Sequence, residues 1–121
     1  MPIYSYKDLI VWQKSLALSK EIYRVTGLFP KEEMYGLVSQ MRRCAVSIPS
    51  NIAEGRSRGT RKDFAQFLRI AYGSGAELET QLEIAGQLEF IDKKDLNILK
   101  GVIDEIMRML NVMIKKLKAK S

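Results

Sequence analysis

The stretch Tyr35-Gly36-Leu37-Val38-Ser39-Gln40-Met41-Arg42-Arg43-Cys44-Ala45-Val46-Ser47-Ile48-Pro49-Ser50-Asn51-Ile52-Ala53-Glu54-Gly55-Arg56 decides the fold. Residues three and four apart share a helix face, so Leu37, Met41, Ala45, Ile48 and Ile52 form an apolar strip that needs a core. Gln40, Arg43, Ser47, Ser50, Asn51 and Glu54 form a second, polar strip. A solvated face usually carries Lys and Glu, whereas this one carries amides, hydroxyls and an Arg. That composition points to a hydrogen-bonded interior layer or a contact between subunits. Pro49 lies inside the helix, where it lacks an N–H and clashes with the turn before it. A kink or break is therefore expected over Ala45 to Asn51.

Helical periodicity continues on both sides, and no strand alternation is visible. A first helix is expected from about Asp8 to Thr26, capped by Asp8 or Ser5. It has two stripes: Leu9, Trp12, Leu16, Ser19 and Tyr23 on one face, and Val11, Leu18, Ile22 and Val25 on another. Gly27-Leu28-Phe29-Pro30 stops it. Gly55 to Gly59 reads as an exposed basic turn, and Thr60 with Asp63 as the capping pair of a third helix. Phe64, Leu68, Ala71, Gly75, Leu78 and Leu82 repeat at helical steps, and the glycines at 73 and 75 suggest a close helix crossing. Asp92 opens a fourth helix to about Leu117, with Leu99, Ile103, Ile106 and Leu110 facing inward. Short connections make an all-α, antiparallel up-down four-helix bundle the expected fold, with helix 2 kinked near Pro49. All 121 residues fit one such domain, with a short arm at 1–7 and a basic tail at 115–121.

The net charge of +6 is unevenly placed. Arg56, Arg58, Arg61, Lys62 and Arg69 face only Asp63 in their segment, and Lys115, Lys116, Lys118 and Lys120 close the chain without an acid. Clustered cations favour polyanions through counterion release, so these residues (Lys120 apart) are the candidate nucleic-acid contacts. No base-reading motif accompanies them, so charge- or shape-led binding with low sequence specificity is expected. No apolar run is long enough to span a membrane, and Met1–Lys7 has no leader-like apolar stretch. A lone Cys44 suits a reducing compartment, so a cytoplasmic location is expected.

Chemistry is thin. The chain has no His, hence no imidazole base or ligand, and one Cys cannot build a thiolate zinc site. Gly55-Arg56-Ser57-Arg58-Gly59 is too short for a phosphate-binding loop of the Walker type. No enzyme activity, cofactor or metal is expected. Glu77, Glu79 and Glu83 in antiparallel register with Arg42 and Arg43 suggest buried ion pairing within or between subunits. The candidate interior or oligomer layer is therefore Gln40, Arg42, Arg43, Ser47, Asn51, Glu54, Glu77 and Glu79. Cys44, among Met41, Ala45 and Ile48, reads as a small core residue.

Several blocks also resemble a known family. They are Leu9-Ile10-Val11-Trp12, Phe29-Pro30 with Glu33, Tyr35-Gly36-Leu37, Gln40-Met41-Arg42-Arg43, Ser47 through Gly55, Phe67 through Ser74, and Glu77 through Leu82. In this order and spacing they resemble the four-helix-bundle proteins called S23, or 23S rRNA intervening-sequence proteins, over most of the chain. Cys44 stands where Ala is common and Gly75 where a larger residue is usual. The resemblance implies a homo-oligomer, commonly a pentamer. Genes of the family lie in intervening sequences of bacterial 23S rRNA genes. A related branch, the accessory variability determinant of diversity-generating retroelements, is a basic ring that binds nucleic acid and a reverse transcriptase. RNA, DNA or a protein partner such as a reverse transcriptase is thus implied, and no enzymatic activity is established for the family. A structural or adaptor oligomer binding a protein partner is the alternative.

Overall fold

The structure, a computed structural model, describes residues 5–119. Among the described residues there are four α-helices: α1 (Ile10–Thr26), α2 (Ser39–Ser57), α3 (Arg61–Gln87) and α4 (Lys93–Ala119). Each packs on the next, and α1 returns to α4, closing the four around one core. Contacts run in opposite directions along each pair. Ser47 meets Ser74 and Gly55 meets Phe67 between α2 and α3, while Gly75 meets Met107 and Gly86 meets Leu96 between α3 and α4. Ion pairs Lys14–Glu105 and Arg24–Asp95 join α1 to α4 in the same antiparallel sense. This is the up-down bundle expected from periodicity.

One predicted apolar strip of each helix is buried. Leu18 and Ile22, Met41, Ile48 and Ile52, Leu68, Leu78 and Leu82, and Ile103, Ile106 and Leu110 are all fully or almost fully buried. At about 1.5–3 kcal/mol for each such side chain, this core is the main source of stability. The other stripe of α1 stays outside. Leu16 and Tyr23 remain 44% and 47% exposed, with Leu9 and Trp12 half-buried beside them.

The helix ends show which local chemistry sets them. Ser5 caps a 3-10 turn, Tyr6–Asp8, by accepting from the Lys7 N–H, and α1 starts only at Ile10, with no side-chain cap at Leu9. Thr60 accepts from the Asp63 N–H at 3.1 Å, and Asp92 accepts from the Asp95 N–H at 2.7 Å, so α3 and α4 open as expected. At the end of α3 the Phe90 N–H donates to the Ala85 carbonyl and the Glu89 N–H to that of Gly86. That pair of bonds is a Schellman closure, which places Glu89 in the left-handed region at φ 62°. Glycine is the usual occupant there, and a glutamate holds the conformation at a cost of about 1–2 kcal/mol.

One expectation is corrected. α2 is not broken at Pro49; it stays helical from Ser39 to Ser57. Pro49 leaves the Ala45 carbonyl without its N–H, and the Ser19 hydroxyl on α1 donates to that carbonyl at 3.0 Å. The departure from helical dihedrals falls earlier, at Gly36 (φ −115°, ψ −110°), inside a π-helical segment Met34–Val38 that leads into α2. The fourth helix, expected to about Leu117, runs to Ala119, so Lys115, Lys116 and Lys118 are residues of α4. Met1–Tyr4, Lys120 and Ser121 lie outside the described residues.

Candidate nucleic-acid interface

Antiparallel packing places the end of α2, the start of α3 and the end of α4 at the same end of the bundle. Gly59 makes the α2–α3 turn possible, with φ at 88°, a conformation that side chains other than glycine rarely adopt. Two clefts result, and they share Arg61 and Leu117. The larger, of about 320 Å³, is lined by Arg61, Lys62, Ala65, Gln66, Arg69, Leu117 and Lys118. The smaller, of about 210 Å³, adds Arg56, Gly59, Thr60 and Phe64. Residues near position 60 and residues near position 118 thus form one basic surface.

Within α3 the cations follow helical spacing: Arg61 and Arg69 stand two turns apart, with Lys62 and Gln66 beside them. Arg69 donates to Gln66 Oε1 at 3.3 Å. Among the described residues no carboxylate side chain lines either cleft. Arg58 is placed elsewhere: its guanidinium pairs with Glu54 at 2.7 Å and lies over the Phe67 ring, 5.0 Å from the centroid. Lys115, one turn before Lys118, and Lys116 are exposed on α4 but do not line the clefts. Of the eight candidate contacts, Arg56, Arg61, Lys62, Arg69 and Lys118 are brought together. Gln66 and Leu117 were not singled out as site residues. The i+4 spacing of Gln66 from Lys62 is the available signal, whereas in the sequence Leu117 marks only the end of the fourth helix.

The polar strip of α2 is not an interior layer in the chain alone. Gln40, Arg43, Glu54 and Glu77 are exposed, while Arg42, Ser47, Asn51 and Glu79 are half-buried. The strip lies along the outer edge of the α2–α3 seam, where short side chains meet and long ones reach water. Ser47 and Ser74 hydroxyls are 2.8 Å apart, and Asn51 donates to the Ser47 carbonyl and hydroxyl at 2.8 and 2.9 Å. Among the described residues no ion pair joins Arg42 or Arg43 to Glu77, Glu79 or Glu83. Arg42 turns toward α1 instead, donating to Thr26 Oγ1 at 3.0 Å and the Tyr23 carbonyl at 3.3 Å, with its guanidinium 4.5 Å from the Tyr23 ring centroid. Glu83 pairs with Lys100.

Cys44 is buried. Burial first, then the carboxylate of Glu77, pushes its thiol up to about 11, which keeps it protonated and unreactive near neutrality. Among the described residues no cluster of three or more His, Cys, Asp or Glu could hold a metal ion. Among the same residues no helix is long and apolar enough to cross a membrane.

A second surface lies between α1 and α2. Two cavities there share Val46: one of about 460 Å³ includes Tyr23, Met34, Tyr35 and Arg43, and one of about 280 Å³ includes Trp12, Leu16 and Pro49. Tyr35 is 97% exposed. This apolar face is the outward stripe of α1 continued onto α2.

Known proteins agree with this architecture. The crystal structure, at 1.70 Å resolution, of a protein with unknown function from the S23 ribosomal protein family of Bacteroides thetaiotaomicron VPI-5482 superposes with a TM-score of 0.81. It is 28% identical, covering 88% of this chain and 96% of that one. No curated protein matches the chain. The family model for the 23S rRNA-intervening sequence protein matches residues 7–112, with all of α1, α2 and α3 and most of α4. The chain belongs to the 23S rRNA-intervening sequence protein family.

Proposed function

We propose that this chain is a non-enzymatic nucleic-acid-binding protein whose contact surface is the basic end of the bundle. The observation that carries the reading is the convergence of Arg56, Arg61, Lys62, Arg69 and Lys118, from segments some fifty residues apart, on two adjoining clefts. Cations grouped this way gain from releasing the counterions of a phosphate backbone. No base-reading motif accompanies these residues, so affinity is expected to follow charge and shape. Binding of nuclease-treated protein to structured RNA and duplex DNA, followed from roughly 50 to 300 mM salt, tests this. A steep loss of affinity with salt, removed by Arg61→Glu, Lys62→Glu and Arg69→Glu together, is the expected result. Equal binding by that variant sinks the assignment.

The α1–α2 face favours a second role, self-assembly into a homo-oligomer such as the implied pentamer. Contiguous exposed apolar surface on a bundle marks a contact with protein, and repeated basic ends in one assembly raise avidity without new contacts. A partner protein such as a reverse transcriptase is the alternative occupant. Light-scattering mass separates the two: a multiple of the chain mass that falls to the monomer in Tyr35→Glu supports self-assembly, and a monomer from the outset favours the partner.

A further inference from the structure

Of the two glycines expected at a close crossing on α3, one has its partner within the chain. A Cβ at Gly75 would meet Met107 on α4, whereas among the described residues nothing lies within 4 Å of a Cβ built at Gly73. Glycine in mid-helix costs stability relative to alanine, and a close approach from outside accounts for it at Gly73. Gly73 belongs to an exposed stripe at helical spacing: Ile70, Gly73, Glu77, Thr80 and Ile84. Ile70 and Ile84, at its two ends, stay 45% and 44% exposed. The Thr80 hydroxyl donates to the Ala76 carbonyl of its own helix at 2.9 Å, so Glu77 is the charged group of the stripe. Glu77 forms no ion pair with a cation among the described residues. Within the chain it meets the Cys44 thiol, and a carboxylate has further acceptor sites.

The α1–α2 face complements this stripe in shape and in charge. The stripe is a ridge that is lowest at Gly73, whereas the face is hollow, its cavities of about 460 and 280 Å³ adjoining at Val46. Arg43 lines the larger cavity and pairs with no carboxylate among the described residues. Two copies joined through this face alone would set hollow against hollow and gather four arginines, Arg42 and Arg43 of each, in one contact. Like charges brought together in this way oppose association. We propose that the α1–α2 face of one copy receives the Ile70–Ile84 stripe of α3 from a second copy, with Arg43 meeting Glu77 of the partner subunit. The inference rests on the self-assembly reading and names the surface that fills the face. A contact between two different surfaces is head-to-tail, so it repeats from copy to copy into a ring or a filament. A face-to-face contact would stop at two copies.

The test uses two variants of the stripe, Gly73→Trp and Ile84→Lys, both at exposed positions where circular dichroism should stay unchanged. In light scattering each should fall to the mass of one chain, as expected of Tyr35→Glu. Either stripe variant mixed with the Tyr35→Glu chain should then give a species of twice the chain mass. One intact face and one intact stripe remain between those two chains, enough for a single contact. Assembly of either folded stripe variant to the unaltered mass overturns the inference and leaves self-assembly standing. A mixture that stays at the mass of one chain also overturns it. A monomer from the unaltered protein overturns both readings.

Discussion

Ser19 on α1 donates its hydroxyl to the Ala45 carbonyl on α2 at 3.0 Å, and this is the carbonyl that Pro49 deprives of its helical partner. The same hydroxyl lies 3.0 Å from the carbonyl of Ser15, so it is shared between its own helix and the next. Pro49 and Ser19 are therefore complementary: one removes a donor, the other supplies it from across the core. Ser19→Ala should lower unfolding free energy by about 1–2 kcal/mol, since a part-buried carbonyl is left unsatisfied. In a Pro49→Ala background the backbone N–H restored at position 49 can serve the Ala45 carbonyl, and Ser19→Ala should then cost under about 0.5 kcal/mol. A double-mutant cycle by urea denaturation measures the difference, and additive effects would show that the contact does not compensate the proline.

Backbone positions divide into those with room for a methyl group and those without. A Cβ at Gly55 would lie 2.5 Å from the Phe67 Cβ, so Gly55→Ala should destabilise by about 1–3 kcal/mol as α2 and α3 are forced apart. Gly73 has nothing within 4 Å and is exposed in mid-helix, so Gly73→Ala should stabilise by about 0.5–1 kcal/mol. Denaturant midpoints at constant slope decide both, and opposite signs are the expected pattern.

Glu89 offers the reverse exchange. Its φ of 62° suits glycine, so Glu89→Gly should raise stability by about 1 kcal/mol by relieving the left-handed conformation at the close of α3. A thermal midpoint at or below that of the unaltered protein would show that the Glu89 side chain contributes more than its backbone costs.

The neighbouring arginines should behave differently. Arg42 holds Thr26, the Tyr23 carbonyl and the Tyr23 ring, so Arg42→Ala should cost about 1–2 kcal/mol. Arg43 is exposed, and Arg43→Ala should leave monomer stability within about 0.5 kcal/mol. Thermal melts compare the two, and a large loss at Arg43 would place it in a buried contact after all.

Cys44 should resist alkylation. With its thiol held up to about 11, the thiolate that reacts is scarce throughout the neutral range and grows only as pH approaches that value. Iodoacetamide labelling of folded protein should stay slow at about pH 8, below even an unperturbed thiol's value, and become fast on adding denaturant. Rapid labelling without denaturant would mean that the α2–α3 seam opens at Cys44.

The helices were legible because their apolar residues recur at helical steps and two of their starts carry side-chain caps. Thr60 and Asp92 announce themselves locally, and Gly75 fulfils its expected close crossing, since a Cβ there would come within 3.0 Å of Met107. The course of α2 through Pro49 was not legible, because the compensating donor sits on another helix twenty-six residues away. Arg42 was misdirected for a related reason: helical spacing gives an angle, and whether the side chain turns to α1 or α3 depends on what each offers it. The two basic segments were visible separately. That Arg61 and Lys118 line one cleft follows only from the antiparallel return of α4.

On the proposed nucleic-acid reading, this convergence also affects how the molecule approaches a polyanion. The end that gathers Arg56, Arg61, Lys62, Arg69 and Lys118 is strongly cationic, whereas at the other end Glu32, Glu33, Glu89 and Asp92 interleave with Lys31, Lys93 and Lys94. Such a distribution experiences a torque in the field of a polyanion. The long axis of the bundle turns toward the phosphates while still about a Debye length away, roughly 8 Å at physiological ionic strength. Arrival is oriented, fewer collisions are wasted, and the rate of capture becomes sensitive to salt independently of how long the complex lasts.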